Sequence, residues 1–326
     1  FYPPLSAYLS TMLYWVVGEN APLALVLTLA LSAALAGVSM YLLGRELYAP
    51  GPAAVAAGAY VLSPHLLYQI YARGSISNAL AMALFPLAAW LMLRLVRHPG
   101  YAGAVWAALA LAAIMLTHAA ASLVVIGPLI VIVVMACFAW SASRQHAFES
   151  LAIAGGAAAL GLVLSMFWWL PALAESGWTH YLDALAASDV HWSKHFAHVL
   201  ALPQLPIVGL ANAPLPLSPG IPQLVLGVAG FLSSLLLAVR GRLRRRSIAP
   251  VDALTLTIGL LGLAEVLMAT PVSAPVWEMS SLIRRLQFPW RFLDAGTFLL
   301  CLASGRVLEL LRPQRVALTW LGMISS

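Results

Sequence analysis

Long apolar stretches joined by short polar connections dominate the pattern of this sequence. Nine stretches are long enough to cross, or nearly cross, a lipid bilayer, and a tenth begins near Val316. The predicted spans are Pro22–Leu43, Ala53–Tyr71, Asn78–Val96, Ala102–Leu116, Ala119–Trp140, Leu151–Leu170, Ile221–Val239, Val251–Met268 and Arg291–Leu310. Their apolar positions do not alternate with a period of two. The pattern therefore predicts an all-α bundle of about nine to ten membrane-spanning helices.

Polar residues interrupt two of these predicted spans. The second contains Ser63-Pro64-His65, and the fourth is short and ends at Thr117-His118. Membrane helices that stop early at polar residues commonly border a water-filled cavity. We therefore expect both interruptions to face such a cavity.

The composition excludes a water-soluble protein. Hydrophobic residues make up 62% of the chain and charged residues only 9%, with a mean hydropathy of +0.93. A soluble domain needs about a quarter of its residues charged to cover its surface. The net charge is +6, but the densest basic run, 240–246, lies between two predicted spans and is typical of a topology signal. We therefore predict the lipid bilayer as a partner and no nucleic acid.

The distribution of cations predicts the orientation. Loops on one side hold twelve of the 17 Lys and Arg residues and loops on the other hold five, which makes the first side cytoplasmic. An external loop region at 171–220 and an external amphipathic helix within 271–290 follow from this. The chain is expected to form a single transmembrane domain over 1–326, truncated at both ends, in a prokaryotic cytoplasmic membrane with its active face external.

A first group of candidate binding residues surrounds the turn after the second span. His65, Tyr68 and Arg73 fall in one external turn, and Asn78 begins the next span. One interpretation is a contact for an anion or a sugar at the membrane surface. The alternative is an ordinary polar turn with interfacial tyrosines and a snorkelling arginine.

Two further groups carry ionisable side chains on the predicted external side. His118 is the one strongly polar residue in a very apolar region, so it should face the cavity, for binding or as a structural hydrogen-bonding group. Arg284, Arg285 and Arg291 lie within eight residues on the side that is poor in cations. Arginine forks bind phosphate well, and ordinary anionic headgroups are the alternative ligand.

No catalytic residue is assigned from the sequence. Glu175 follows an aromatic helix end and is a candidate acid, with a solvated loop acid as the alternative interpretation. Asp189 and His191 form only a loose metal-like pair, so no metal site is predicted and a divalent metal stays open. No cofactor-binding motif is evident.

Five motifs, in order, resemble a known family. They are Phe1-Tyr2-Pro3-Pro4-Leu5-Ser6, Tyr71-Ala72-Arg73-Gly74, Leu116-Thr117-His118, Phe167-Trp168-Trp169-Leu170-Pro171-Ala172 and Phe288-Pro289-Trp290-Arg291-Phe292-Leu293. Together they resemble the prokaryotic membrane proteins labelled "6-pyruvoyl-tetrahydropterin synthase-related", a family similar to the GT-C glycosyltransferases. The resemblance covers nearly the whole chain.

The resemblance implies a glycosyltransferase that uses a polyprenyl-phosphate sugar donor on the external face. An external carboxylate would act as the base on an acceptor hydroxyl, and arginines would hold the departing lipid phosphate. The family's acid is expected just upstream of Phe1. A second departure is Asn78, where the family tends to have Glu; an amide can bind but cannot serve as a base.

Two other functions are consistent with the sequence. A non-catalytic membrane subunit of a larger membrane complex would keep the fold and the lipid contacts but lose the acid. A lipid or small-molecule transporter is the third hypothesis, although charged residues within the spans are few.

Overall fold

The computed structural model describes residues 2–178, 191–197 and 217–311. The regular structure within these ranges is helical. Helices α1 to α14 cover, in order, Leu5–Val16, Ala21–Leu47, Pro50–Val61, Pro64–Leu67, Ile76–Arg97, Tyr101–Thr117, Ala119–Trp140, Arg144–Leu164, Met166–Ala174, Ile221–Leu243, Pro250–Met268, Ala274–Met279, Ser281–Arg284 and Phe292–Leu311. A π-helical turn, Tyr68–Ala72, follows α4 directly.

Six of the described helices are long and apolar enough to cross a membrane: α2, α5, α7, α8, α10 and α11. Helix α6 is equally apolar but shorter, at 17 residues. Lipid offers no hydrogen bonds to the backbone, and a helix satisfies its own N–H and C=O groups. The predicted all-α polytopic membrane fold is confirmed.

The predicted count of nine to ten spans is not confirmed. The second predicted span is divided because Ser63 caps α4, accepting a hydrogen bond from the Leu66 N–H at 3.4 Å, while Pro64 starts that helix. Helix α14 has the length of a span but carries Asp294, Arg306 and Glu309. The predicted tenth span, from Val316, lies outside the described residues.

Helices α5 and α14 form the centre of the bundle. Residues 292–306 of α14 are all buried, with Phe292 and Arg306 the most exposed at 9%. Helix α14 packs against α3, α10 and α11. The approach is close because α10 presents glycine: a Cβ at Gly227 would lie 2.8 Å from the Leu300 carbonyl oxygen. Small residues at such crossings are how membrane helices gain packing contact.

Polar residues at the helix termini lie at two opposite ends of the bundle. We call the first the Asp294 end; it holds residues 63–78, 117–121 and 286–294. The second, the Arg306 end, holds the buried ion pair of Arg306 with Asp252 at 2.7 Å and the pair of Arg97 with Glu46 at 3.1 Å.

Helix α1 was not predicted as an element. It connects to the bundle through small hydroxyl side chains: Ser6 lies 2.8 Å from Ser77, and Ser10 lies 3.2 Å from Thr28. The apolar pattern missed this helix because its 12 residues are too few for a span.

The segment 271–290 does not form the single amphipathic helix that its pattern predicts. The chain breaks at Ser280, whose side chain caps α13 by accepting from the Ile283 N–H. Trp277 is therefore fully buried, stacked on Trp192 at 5.8 Å, whereas Met279 is 87% exposed. The interfacial position of this segment stays a prediction. So does the external position of 171–220, much of which lies outside the described residues.

Candidate functional site at the Asp294 end

Asp294 joins three elements in the interior of the bundle. Its Oδ1 atom accepts hydrogen bonds from His65 Nε2 at 2.7 Å and from Asn78 Nδ2 at 3.2 Å. All three side chains are at most 1% exposed. A buried carboxylate is costly without such donors, so this trio holds α4, α5 and α14 in one arrangement.

Local sequence signals place these three residues. Pro64 starts α4, so His65 falls in its first turn. Gly74 has φ +57°, a conformation that suits glycine, and it lets the chain turn from the π-helical segment into α5, where Asn78 lies in the first turn. Asp294 lies in the first turn of α14, where the helix dipole favours an acid.

Two arginines meet at one tryptophan beside this trio. The Arg73 guanidinium lies 4.7 Å from the centre of the Trp290 ring, and that of Arg291 lies 5.9 Å from it and 5.0 Å from Phe288. Phe288 and Trp290 are themselves stacked at 5.6 Å. Cations are attracted to aromatic faces, so the rings of Phe288 and Trp290 hold two arginines from separate segments close together.

Hydrogen bonds orient both guanidinium groups. Arg73 donates from Nη1 to Gln69 Oε1 at 2.8 Å, and Arg291 donates from Nη1 to the Leu286 carbonyl oxygen at 2.7 Å. Arg73 is exposed and Arg291 is partly buried. Because a guanidinium has five N–H donors, each can bind a further acceptor.

His118 lies at the same end, between α6 and α7. Its Nδ1 atom accepts the Ala121 N–H at 3.1 Å and caps α7. Burial lowers the pKa of His118 to about 4, and the nearby Arg291 and Arg73 add to this, partly offset by Asp294. A neutral imidazole is therefore expected at pH 7, with its proton on Nε2.

The first and fourth motifs reach the same end through two contacts. Ser6 of the first motif bonds Ser77 at the start of α5, and Trp168 of the fourth donates to the Tyr2 carbonyl oxygen at 3.2 Å. Arg73 of the second motif meets Trp290 of the fifth. Motifs spread along the chain thus converge in space.

The family model described as "6-pyruvoyl-tetrahydropterin synthase related domain; membrane protein" matches residues 1–324. The chain belongs to this family. The family resemblance of the five motifs is thereby confirmed. No curated protein matches the chain.

The solved structures with which the chain aligns include proteins from Cupriavidus metallidurans and Archaeoglobus fulgidus. The chain aligns with ArnT from Cupriavidus metallidurans at 14% identity and a TM-score of 0.42, over 93% of this chain and 66% of that one. Two matches are from Archaeoglobus fulgidus. Its oligosaccharyltransferase in the apo form has 15% identity and a TM-score of 0.44, over 93% of this chain and 42% of that one. AglB, in complex with an inhibitory peptide and a dolichol-phosphate, has 14% identity and a TM-score of 0.43. That alignment covers 99% of this chain and 46% of AglB. The chain thus spans two thirds or less of these structures.

In this family member, the predicted binding residues divide into two sets. Arg73, Arg291 and His118 lie near one another at the Asp294 end, and their role in binding stays a prediction. His65 and Asn78 are fully buried on Asp294, so they support the site rather than face it. Tyr68 is also buried, at 8% exposure.

The remaining candidates lie apart from this cluster. Arg284 and Arg285 are exposed around the short helix α13. Glu175 is partly exposed just after α9, and its backbone N–H bonds the Pro171 carbonyl oxygen. Asp189 lies outside the described residues.

Asp294 was not among the site residues predicted from the sequence. Its signal was an acid immediately inside an apolar helix, three residues after Arg291. Its Oδ2 atom and Nδ1 of His65 are buried without a hydrogen-bond partner. Among the described residues, no three His, Cys, Asp or Glu side chains are placed to hold a metal ion, so we assign no metal ligands.

Proposed function

We propose that this membrane protein is a glycosyltransferase that moves a sugar from a polyprenyl-phosphate donor to an acceptor on the external face. One observation carries the proposal: Arg73 and Arg291, from separate segments, lie on the same indole ring of Trp290. Two arginines at the end of an apolar bundle form a place where a lipid-linked phosphate can rest while its chain stays in the bilayer.

The surroundings favour an anion at this position. His118 is neutral at pH 7, so its uncharged ring adds an Nε2 donor beside the two guanidinium groups. Asp294 lies behind them, but His65 and Asn78 occupy its Oδ1 atom. The acid therefore orders the site from the interior, while the exposed guanidinium of Arg73 faces the medium.

In this reaction the two arginines would stabilise the negative charge that builds on the departing polyprenyl phosphate. The proton of the acceptor hydroxyl would pass to a base that the described residues do not identify. Asp294 does not suit that task because it is fully buried. The external orientation rests on the distribution of cations among the loops.

A non-catalytic membrane subunit is the second candidate. The observation in its favour is the same complete burial of Asp294, since this acid, close to the arginines, does not reach a substrate. Such a subunit would bind the polyprenyl phosphate at Arg73 and Arg291 without cleaving the sugar.

The test compares transfer and binding in one protein preparation. Purified full-length protein receives radiolabelled polyprenyl-phosphate mannose, glucose or galactose, and both transfer and donor hydrolysis are measured. Retention of unlabelled polyprenyl monophosphate is measured separately by native mass spectrometry. Arg73→Gln and Arg291→Lys are compared with Arg240→Gln, which removes an exposed arginine at the Arg306 end.

Transfer that is lost in Arg73→Gln and reduced in Arg291→Lys, but kept in Arg240→Gln, supports the enzyme. Lysine keeps the charge but loses the fork, so Arg291→Lys reports on geometry. Binding with neither transfer nor hydrolysis for any donor supports the subunit. Equal binding by all four proteins overturns the phosphate site in both hypotheses.

A further inference from the structure

A pocket lies at the Arg306 end, away from the proposed reaction site. It encloses about 400 Å³ between the end of α5 and the start of α6. Its walls include Trp90, Arg94, His98, Gly103 and Trp106. Indole, guanidinium and imidazole groups thus surround one half-open space.

The close approach of α5 and α6 forms the floor of this pocket. Gly103 packs against Leu95 so tightly that a Cβ at Gly103 would lie 3.3 Å from Leu95 Cδ1. Trp106 lies one turn further along α6 and is 62% exposed, so its ring flanks the opening. The pocket has an apolar floor and an aromatic edge.

Glu46, the acid that bonds Trp90 in the pocket wall, does not pair with Arg94. Glu46 accepts hydrogen bonds from Arg97 Nη1 at 3.1 Å and from Trp90 Nε1 at 3.3 Å. Arg97 also lies 4.0 Å from the Trp140 ring. Arg94 instead lies 5.7 Å from the Trp90 ring, and it has no ion pair with any residue in the described ranges.

From this geometry we infer that the pocket between α5 and α6 binds the phosphate headgroup of an anionic phospholipid. Arg94 and His98 would hold the phosphate, and Trp106 with the exposed Val105 and Leu109 would contact the acyl chains. On the predicted topology this hairpin faces the cytoplasm, where anionic lipids attract basic groups next to the membrane. The pocket is separate from the polyprenyl-phosphate site in position and in the proposed ligand.

The test measures lipid binding to full-length protein by native mass spectrometry in detergent. Phosphatidylglycerol is titrated against phosphatidylcholine with the same acyl chains. Arg94→Gln is compared with Arg240→Gln, another exposed arginine in the last turn of a helix on the same predicted side. A third titration adds inorganic phosphate alone, which distinguishes a free anion from a lipid headgroup.

We expect the wild type to retain phosphatidylglycerol in preference to phosphatidylcholine. Arg94→Gln should weaken phosphatidylglycerol binding about fivefold, the effect of one arginine near a membrane surface, while Arg240→Gln leaves it within about twofold. Equal losses in both variants would mean that only the general charge of the surface matters, and would overturn the site. So would equal retention of the two lipids, or displacement of phosphatidylglycerol by millimolar inorganic phosphate.

Discussion

Asp294 accepts a hydrogen bond from His65 at 2.7 Å, between two fully buried side chains that are 229 residues apart in the sequence. Asn78 donates to the same carboxylate oxygen. This contact fixes the start of α14 against the turn that carries Arg73. The spacing of Arg73 and Arg291 at Trp290 therefore depends on a residue that neither arginine needs to touch.

The first prediction concerns the stability of this trio. Asp294→Ala leaves two buried donors without an acceptor, which costs about 1–3 kcal/mol per unsatisfied group. We expect a lower unfolding temperature in detergent, measured by intrinsic fluorescence. Asp294→Asn keeps an oxygen acceptor and should lose less. Equal losses in the two variants would show that the carboxylate oxygen does not hold these donors.

The second prediction concerns the amide of Asn78, which donates a hydrogen bond to Asp294. Asn78→Asp is isosteric but would place a second carboxylate about 3 Å from Asp294, and two such acids must share a proton. The folded variant then binds more protons than the unfolded chain. Its stability should therefore fall as the pH rises from 5 to 8.

Asn78→Ala is the matched control for this pH effect. It removes the same hydrogen bond but adds no charge, so its loss of stability should change little with pH. Parallel pH profiles for the two variants would contradict the close approach of residue 78 to Asp294.

The third prediction concerns Trp290 as the aromatic support of both arginines. Trp290→Leu should weaken the binding of polyprenyl monophosphate about two- to fivefold, because a cation–π contact contributes about 0.5–1 kcal/mol at an exposed site. Trp290→Phe should lose less. Trp140→Leu removes a comparable contact to Arg97 at the Arg306 end and should bind as the wild type does. If Trp290→Leu binds polyprenyl monophosphate with wild-type affinity, the indole does not contribute to the site.

The fourth prediction concerns the buried ion pair at the Arg306 end. Arg306 donates to Asp252 Oδ1 from Nε at 3.0 Å and from Nη2 at 2.7 Å. Arg306→Met leaves the acid buried without its partner and should cost about 3–5 kcal/mol of unfolding free energy. The double variant Arg306→Met/Asp252→Leu should recover most of this loss. If the double variant loses as much unfolding free energy as Arg306→Met and Asp252→Leu lose together, the two residues do not interact.

The fifth prediction follows from the pKa of His118, which burial lowers from 6.5 to about 4. The unfolded chain binds the proton near pH 6.5, whereas the folded protein binds it only near pH 4. Stability should therefore decrease as the pH falls through this window. His118→Asn keeps a capping oxygen for the Ala121 N–H but cannot titrate, so this part of the pH dependence should disappear from unfolding curves.

His146→Asn is the control for the titration of His118. His146 is exposed in the first turn of α8, and its replacement should leave the pH dependence of unfolding as it is in the wild type. An equal change in both variants would assign the effect to histidine content rather than to the position of His118.

The sequence singled out three polar residues that the structure places near one another, and it did not single out the acid that lies beneath them. Arg73, His118 and Arg291 were identified because a polar residue stands out in an apolar chain. His65 and Asn78 were predicted to contact a ligand, and they instead contact Asp294. The single amphipathic helix predicted within 271–290 does not form because one capping serine, Ser280, divides the segment.

By itself, the sequence determined an all-α membrane bundle and the family, because long apolar segments in lipid must satisfy their backbones as helices. Only the tertiary structure decided that Asp294 lies on His65 and Asn78, and that Arg73 and Arg291 share Trp290. A soluble helix shows its buried face by a polar opposite face, but these helices are apolar on every side. Their rotation and depth are set by packing against neighbouring helices, such as Gly227 against Leu300, and not by a pattern along one segment.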